Sequence, residues 1–185
     1  MFLAPCDPGN FDRTVGSEVD LSEHPNHPSA LSGRDTVRFW GAREGSGNQN
    51  YFEKMVAGDL VLFYQNGKYI GIGRVGTAFR DEEEWASTTF WDGAPSHLIY
   101  TVEDFTPASV PKSAVNRIFD YVPDYNPQGL MRVAESRVDE RPEAIELALK
   151  KYSEKHRRTW KAEPHVRRSA LVSTFGSSHR VVAAA

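Results

Sequence analysis

The sequence has little cysteine and no long apolar run. Cys6 is the single cysteine among 185 residues, which excludes an internal disulfide and a multi-cysteine zinc site. Because disulfides are typical of secreted proteins, a cytoplasmic setting is expected. The first residues carry no basic region followed by an apolar core, unlike a secretory signal. No run approaches the roughly 20 apolar residues of a membrane helix, so a membrane partner is not expected.

Motifs of the common catalytic classes are also absent. The six histidines are scattered, and the sequence has no H-E-x-x-H, no G-x-S-x-G and no G-x-x-x-x-G-K-[ST]. His24 and His27 lie three residues apart, but neighbouring prolines and the lack of a third ligand type argue against metal binding. The sequence therefore predicts no catalytic residue, metal or cofactor, and leaves open whether the protein is an enzyme.

Charge is unevenly divided along the chain. Residues 1–110 hold 8 Lys and Arg against 16 Asp and Glu, whereas residues 111–185 hold 14 against 9. This asymmetry favours a polyanionic partner contacted by the second part, and a solvated helix face is the alternative. The acidic first part argues against tight nucleic-acid binding through phosphates alone, so any such contact would need a local basic patch.

Residues 38–75 hold the clearest structural pattern. A β-prone run, a glycine-rich loop and a short helix come first, and two predicted strands follow at 59–64 and 69–75. Asn66-Gly67 joins these strands, and this pair favours a type I′ hairpin because both central residues need positive φ. The pattern predicts a small β-barrel with a pocket at its mouth.

The rest of the chain predicts further strands and helices around this unit. Asp7-Pro8 is typical of a helix N-cap followed by proline at the first helical position. A Pro-rich connector, with prolines at 107 and 111, is expected before the C-terminal helices. The remaining predictions are a strand at 2–5, a long loop at 16–35, a strand at 97–105, a short helix at 112–119 and a basic helix at 141–160.

The order of these pieces resembles the EVE domain. The matching pieces are W-G at Trp40, F-x-x-M-x-x-G-D-L-V-L-F-Y from Phe52 and G-x-Y-I-G-I-G-x-V from Gly67. EVE domains have a PUA-like fold related to YTH domains, which hold a modified base in an aromatic cage. The resemblance implies an α+β, PUA-like small β-barrel flanked by helices over residues 1–110. A helical C-terminal extension, with a Pro-rich linker and a basic helix, would occupy residues 111–185.

The resemblance also implies a modified-base pocket. Trp40 and Trp91 fall where YTH-type domains place two cage tryptophans, which could sandwich a flat base at about 1–3 kcal/mol per stacked base. Gly41 replaces the serine or cysteine that often follows the first of these tryptophans. Because aromatic residues usually lie in the core, a packing role is the alternative for each tryptophan. The pocket implied in this way consists of Trp40, Trp91, Trp85, Asn48, Asn50, Tyr64 and Gly41.

Basic side chains near this pocket and on the long helix are candidate contacts to the nucleic-acid backbone. They are Arg38, Arg43, Lys54, Arg74, Lys155, Arg157 and Arg158.

EVE-like domains occur at the N-terminus of modification-dependent restriction endonucleases that also carry an HNH nuclease domain, whose signature is absent from this chain. The resemblance therefore implies recognition of methylcytosine, hydroxymethylcytosine or methyladenine in double-stranded DNA, by base flipping into an aromatic cage during restriction. One alternative is an RNA-binding reader, and another is an HNH-type nuclease whose active site lies beyond residue 185. A homodimer through the C-terminal helices and a protein-interaction role of the basic helix are further hypotheses.

Overall fold

The structure, a computed structural model, describes residues 1–138 and 142–162, with side chains described up to residue 155 in the last helix. Six strands form one sheet in the order β4-β7-β6-β5-β1-β8. They are β1 (Phe2–Pro5), β4 (Phe39–Ala42), β5 (Leu60–Gln65), β6 (Lys68–Arg80), β7 (Leu98–Pro111) and β8 (Met131–Arg132). Two short strands pair separately, β2 (Val19–Asp20) with β3 (Thr36–Val37).

Helices and turns connect these strands. The helix α1 (Pro8–Phe11) continues into a π-helical turn, and the described residues contain three further short turns of 3₁₀ type. Asp7 is the N-cap of α1, as predicted, because its carboxylate accepts the Asn10 N–H at 2.9 Å. The other helices are α2 (Ser46–Phe52), α3 (Trp85–Phe90), α4 (Lys112–Ile118) and α5 (Pro142–Ala162).

The sheet curls into a half barrel. All its strand pairs are antiparallel except β1 and β5, where Phe2 lies opposite Val61. The long pairing of β6 with β7 contains three register shifts, and bulges of this kind bend a strand and increase its twist. The predicted PUA-like α+β fold is confirmed, and the described sheet ends at β4 on one side and at β8 on the other.

The predicted hairpin is also confirmed. Asn66 and Gly67 have φ of 47° and 82°, the positive values that a type I′ turn requires. By contrast, Pro107 and Pro111 lie within β7, where the sequence predicted a connector. Beyond Thr101, β7 pairs with β6 alone, and proline is tolerated on such an edge because fewer ladder hydrogen bonds are lost.

Both faces of the sheet are buried. Along β5, Val61 and Phe63 face one hydrophobic cluster, and Leu60 and Leu62 face the other, as the two-residue period of a strand requires. The first face packs against α1, α3 and the loops around them. The second face is covered by α4 and α5.

Residues after position 110 belong to the same packed unit. Met131 of β8 lies opposite Leu3 of β1, so the sheet extends past the predicted boundary at the end of β7. The helix α5 packs on β7, and Glu146 of this helix forms an ion pair with Arg74 of β6. Among the described helices, none is long and apolar enough to cross a membrane.

Candidate binding cavity

A cavity of about 540 Å³ opens beside the first face, where β1 and β4 end. Its walls come from distant parts of the chain, because the parallel pairing of β1 with β5 brings the first residues beside the central strands. The lining residues are Ala4, Pro5, Cys6, Asp7, Pro8, Asn10, Trp40, Gly41, Ala42, Arg43, Asn48, Asn66, Trp91, Ala94, Ser96, Gly129 and Leu130.

Trp40 and Trp91 form two walls of this cavity. Their ring centroids are 5.6 Å apart and their planes are inclined by 61°. To hold a base between them, the two indole planes would have to be parallel and roughly 7 Å apart, because the base would contact each ring at about 3.5 Å. In this structure the two indoles therefore form a corner, where one ring can stack on a base and the other can contact its edge. Both are also core residues, with exposed fractions of 7% and 3%.

Gly41 gives Trp91 its position. A Cβ built on Gly41 would lie 2.8 Å from the Cη2 and Cζ3 atoms of the Trp91 ring and 2.8 Å from Cδ1 of Ile99. Any side chain at position 41 would therefore collide with the indole. This close approach explains why glycine replaces the serine or cysteine of the resembled pattern.

The backbone around Trp91 is fixed by a turn and by one arginine. Asp92 and Gly93 have φ of 51° and 79°, which reverses the chain directly after α3. Arg13 donates to the Phe90 carbonyl oxygen at 2.6 Å and to the Asp92 carboxylate at 2.9 Å. The buried Nε1 of Trp91 has no hydrogen-bond partner among the described residues, so packing alone holds the ring.

Asn48 links α2 to the segment that precedes β8. Its Nδ2 donates to the Arg43 carbonyl oxygen at 2.9 Å, and its Oδ1 lies 2.8 Å from where a Cβ on Gly129 would be. Gly129 has φ of +96°, so both its backbone angle and its neighbour favour glycine. The Arg43 side chain is exposed and forms no ion pair within the described part of the chain.

The cavity wall also contains a thiol with low reactivity. Burial, together with smaller contributions from the carboxylates of Asp7 and Asp12, raises the pKa of Cys6 to about 12. Its Sγ donates to the Tyr64 carbonyl oxygen at 3.3 Å. Because the thiolate is the nucleophilic form, Cys6 is a poor nucleophile near neutral pH, and the cavity is suited to binding.

Four of the seven predicted pocket residues line the cavity, namely Trp40, Gly41, Asn48 and Trp91. The structure places the other three elsewhere. Trp85 is buried against Phe39 and Phe90, with ring centroids 5.3 and 5.2 Å away. Tyr64 follows a bulge and packs on the second face, where its hydroxyl donates to Asn126 Oδ1 at 2.6 Å. Asn50 is exposed on α2.

The predicted backbone contacts also divide into groups. Arg43 lines the cavity and Lys54 is exposed just after α2. Arg38 donates to the Val15 carbonyl oxygen and covers the Phe105 ring, and Arg74 pairs with Glu146, so both serve the packing of the fold. Lys155 lies on α5, which covers the second face. The side chains of Arg157 and Arg158 lie outside the described residues.

Sequence reasoning missed several wall residues, above all Asp7, Asn66 and Gly129. Asp7 and Asn66 had been interpreted through their local roles, as a helix cap and a turn residue. Gly129 belongs to a segment expected to be a linker. No local pattern reveals that these positions meet, because long-range strand pairing brings them together.

The curled sheet with a cavity at its edge defines a PUA-like domain. Among solved structures, the chain is similar to the N-terminal domain of Thermococcus gammatolerans McrB bound to m5C DNA, with a TM-score of 0.60 and 20% identity. The match covers 80% of this chain and 98% of that one. No family model matches the chain, and no curated protein matches it. The predicted resemblance is thus confirmed at the level of the fold.

Proposed function

We propose that this protein binds double-stranded DNA containing a modified base, with 5-methylcytosine as the leading candidate. The observation that carries the proposal is the cavity walled by Trp40 and Trp91 at the edge of a PUA-like sheet. The McrB domain that shares the fold was solved bound to m5C DNA, which supports the same ligand class here.

The cavity is suitable for one extruded nucleotide. Its volume of about 540 Å³ lies within the range of small-molecule sites, roughly 300–1,000 Å³. Stacking on one indole contributes about 1–3 kcal/mol. The apolar atoms of Ala4, Ala94 and Leu130 can surround a methyl group, since burying each methyl-sized group contributes about 0.8 kcal/mol.

The burial of the two indoles supports base flipping as part of the proposal. A base stacked inside a duplex cannot contact two nearly buried indoles, so the target nucleotide must be extruded at a cost of a few kcal/mol. Arg43 at the cavity and the exposed Lys54 beyond α2 are the side chains proposed to hold the flanking phosphates. Because residues 1–110 are acidic overall, contacts inside the cavity must supply most of the selectivity.

The test is binding to matched duplexes that carry cytosine, 5-methylcytosine, 5-hydroxymethylcytosine or N6-methyladenine at one position, at fixed salt. We expect a preference of about tenfold or more for the modified cytosine. Ser96→Phe, which fills the cavity without removing a core ring, should abolish that preference. Thr89→Phe adds the same ring on the exposed surface of α3 and should leave the preference unchanged. Equal, salt-sensitive binding to all four duplexes would refute the proposal.

The wider setting is proposed on the same basis. We expect the chain to act in the cytoplasm as the specificity part of a modification-dependent restriction system, and not to cleave DNA alone with Mg²⁺. An RNA-binding role would show as tighter binding when the same modified base is in a ribo-oligonucleotide, since only RNA offers the 2′-hydroxyl. Sedimentation would test the homodimer proposed through the C-terminal helices.

A further inference from the structure

The cavity has two charged wall residues of opposite sign, Asp7 and Arg43. Asp7 follows β1 directly and caps α1, so its carboxylate is anchored on one side. Its Oδ1 accepts the Asn10 N–H at 2.9 Å. Within the described residues no donor engages its other oxygen, Oδ2. Asp7 is exposed, so the rim of the cavity carries one free acceptor on a carboxylate that the helix cap orients.

A free carboxylate oxygen can distinguish bases that carry an exocyclic amine from bases that carry a carbonyl oxygen at the same position. An ionised carboxylate only accepts hydrogen bonds. Cytosine and adenine present an exocyclic amine, N4–H₂ or N6–H₂, whereas thymine presents the O4 acceptor at the equivalent position. A carboxylate beside that edge is satisfied by an amine and repelled by a carbonyl oxygen.

We propose that Oδ2 of Asp7 accepts a hydrogen bond from the exocyclic amine of the flipped base, and that Asp7 thereby restricts the cavity to amino bases. The inference rests on the proposed function, because it requires a base in this cavity. It adds the selection of 5-methylcytosine against thymine, which nothing in the apolar walls can provide.

Thymine is the competitor that makes this selection necessary. It carries the same 5-methyl group as 5-methylcytosine and differs at position 4 and in the proton on N3. Any cavity that recognised only the methyl group would also bind every thymine in DNA. A site built around a hydrogen bond rejects the analogue that lacks it, because its own polar group is left unpaired.

The experiment compares duplexes that carry 5-methylcytosine or thymine opposite an abasic site, so that neither base has a partner to lose on flipping. The wild-type protein should bind the 5-methylcytosine duplex about tenfold to a hundredfold more tightly, the range expected for one base-edge contact. Asp7→Asn keeps an oxygen for the helix cap and places an amide donor where Oδ2 was. The ratio of the two dissociation constants should then fall to about one or reverse.

Asp12→Asn is the matched control. It removes the same charge five residues later from an exposed side chain that does not line the cavity, so the ratio should remain at the wild-type value. If Asp7→Asn is poorly folded by circular dichroism, Asp7→Ser keeps a capping oxygen without the second acceptor and should also lower the ratio.

The outcomes separate the two proposals. If the wild-type protein shows no preference for modified over unmodified cytosine in paired duplexes, the proposed function fails. If that preference is present but Asp7→Asn or Asp7→Ser keeps the wild-type ratio for 5-methylcytosine over thymine, only the role of Asp7 is overturned. An equal loss in Asp12→Asn would also overturn it, because net charge rather than a hydrogen bond would then set the ratio.

Discussion

The two faces of the sheet are both buried, but they are closed in different ways. The second face is covered by two helices, α4 and α5, whose apolar stripes are regular enough to seal a mostly aliphatic cluster containing Val115, Ile145 and Leu149. The first face is covered by α1, short turns and loops, and its largest side chains are aromatic. Only the first face opens into the cavity described above.

This difference shows how a core and a binding site can share the same residues. Loops cover a sheet less completely than a regular helix does, and flat indole rings leave angular space that branched aliphatic side chains would fill. Trp40 and Trp91 therefore fill the core with most of their surface and line the cavity with the remainder. Under the proposed function the more aromatic face both stabilises the fold and binds the base, whereas the mostly aliphatic face contributes to stability alone.

The largest expected effect comes from removing one large side chain from each face. Trp91→Ala should lower the free energy of unfolding by about 3–5 kcal/mol and abolish the preference for modified DNA, because the ring fills both core and cavity wall. Leu149→Ala should cost about 2–5 kcal/mol while the folded protein keeps its preference, since Leu149 is 2% exposed on the opposite face. Urea unfolding and DNA titration below the transition measure the two quantities.

Similar loss of preference in both variants would contradict the division between the faces. Because both rings are nearly buried, loss of binding in a tryptophan variant can also follow from loss of stability, so the aliphatic variant is needed as the control for stability alone.

A smaller effect is expected at Gly41. Gly41→Ala should cost about 1–3 kcal/mol and weaken binding, because the new Cβ would lie 2.8 Å from the Trp91 ring and must displace it. Gly47→Ala is the control, since nothing lies within 4 Å of a Cβ there and alanine should favour α2 by about 0.5–1 kcal/mol. Thermal melting, together with tryptophan fluorescence of the altered pocket, distinguishes the two. Unchanged fluorescence in Gly41→Ala would show that the new Cβ is accommodated without displacing the ring, and would contradict this prediction.

The sequence was informative wherever a local pattern decides the structure. Asn66-Gly67 specified the hairpin and Asp7 specified the start of α1, because turn and cap geometry depend on adjacent residues. The PUA-like fold followed from the order of several such pieces. A smaller part of the cavity wall was also predictable, since Trp40 and Gly41 are neighbours in one short strand beside a glycine-rich loop.

Most of the cavity wall depended on contacts between residues distant in sequence. The parallel pairing of β1 with β5 and the antiparallel pairing of β1 with β8 set which loops meet at the cavity, and neither pairing has a local signal. Trp85 shows the same limit, since an aromatic residue near Trp91 in sequence turned out to pack behind it against Phe39. The angle between the ring planes of Trp40 and Trp91 likewise could not be predicted from their positions in the sequence.

The smallest expected effect is the pH dependence of stability that comes from one buried ionisable group on each face. Burial raises the pKa of Cys6, on the cavity side, from an ordinary 9.0 to about 12, and burial also raises the pKa of Tyr69 on the second face above its ordinary 10.0. Each folded group holds its proton more tightly than the unfolded chain does, so its contribution to stability is complete below the ordinary pKa and is lost as pH rises above it. The contribution of the Cys6 thiol to the free energy of unfolding should fall first, by about 1 kcal/mol between pH 9 and 10.

Urea unfolding of the wild-type protein, Cys6→Ala and Tyr69→Phe at pH 8, 9 and 10 measures this order. The stability difference between wild type and Cys6→Ala should shrink from pH 9 onward, whereas the difference for Tyr69→Phe should begin to change only near pH 10, because unfolded tyrosine keeps its proton until then. Groups common to all three proteins cancel in these differences. Parallel curves for wild type and Cys6→Ala would mean that water reaches the thiol through the cavity, and the first face would then be more open than its packing indicates.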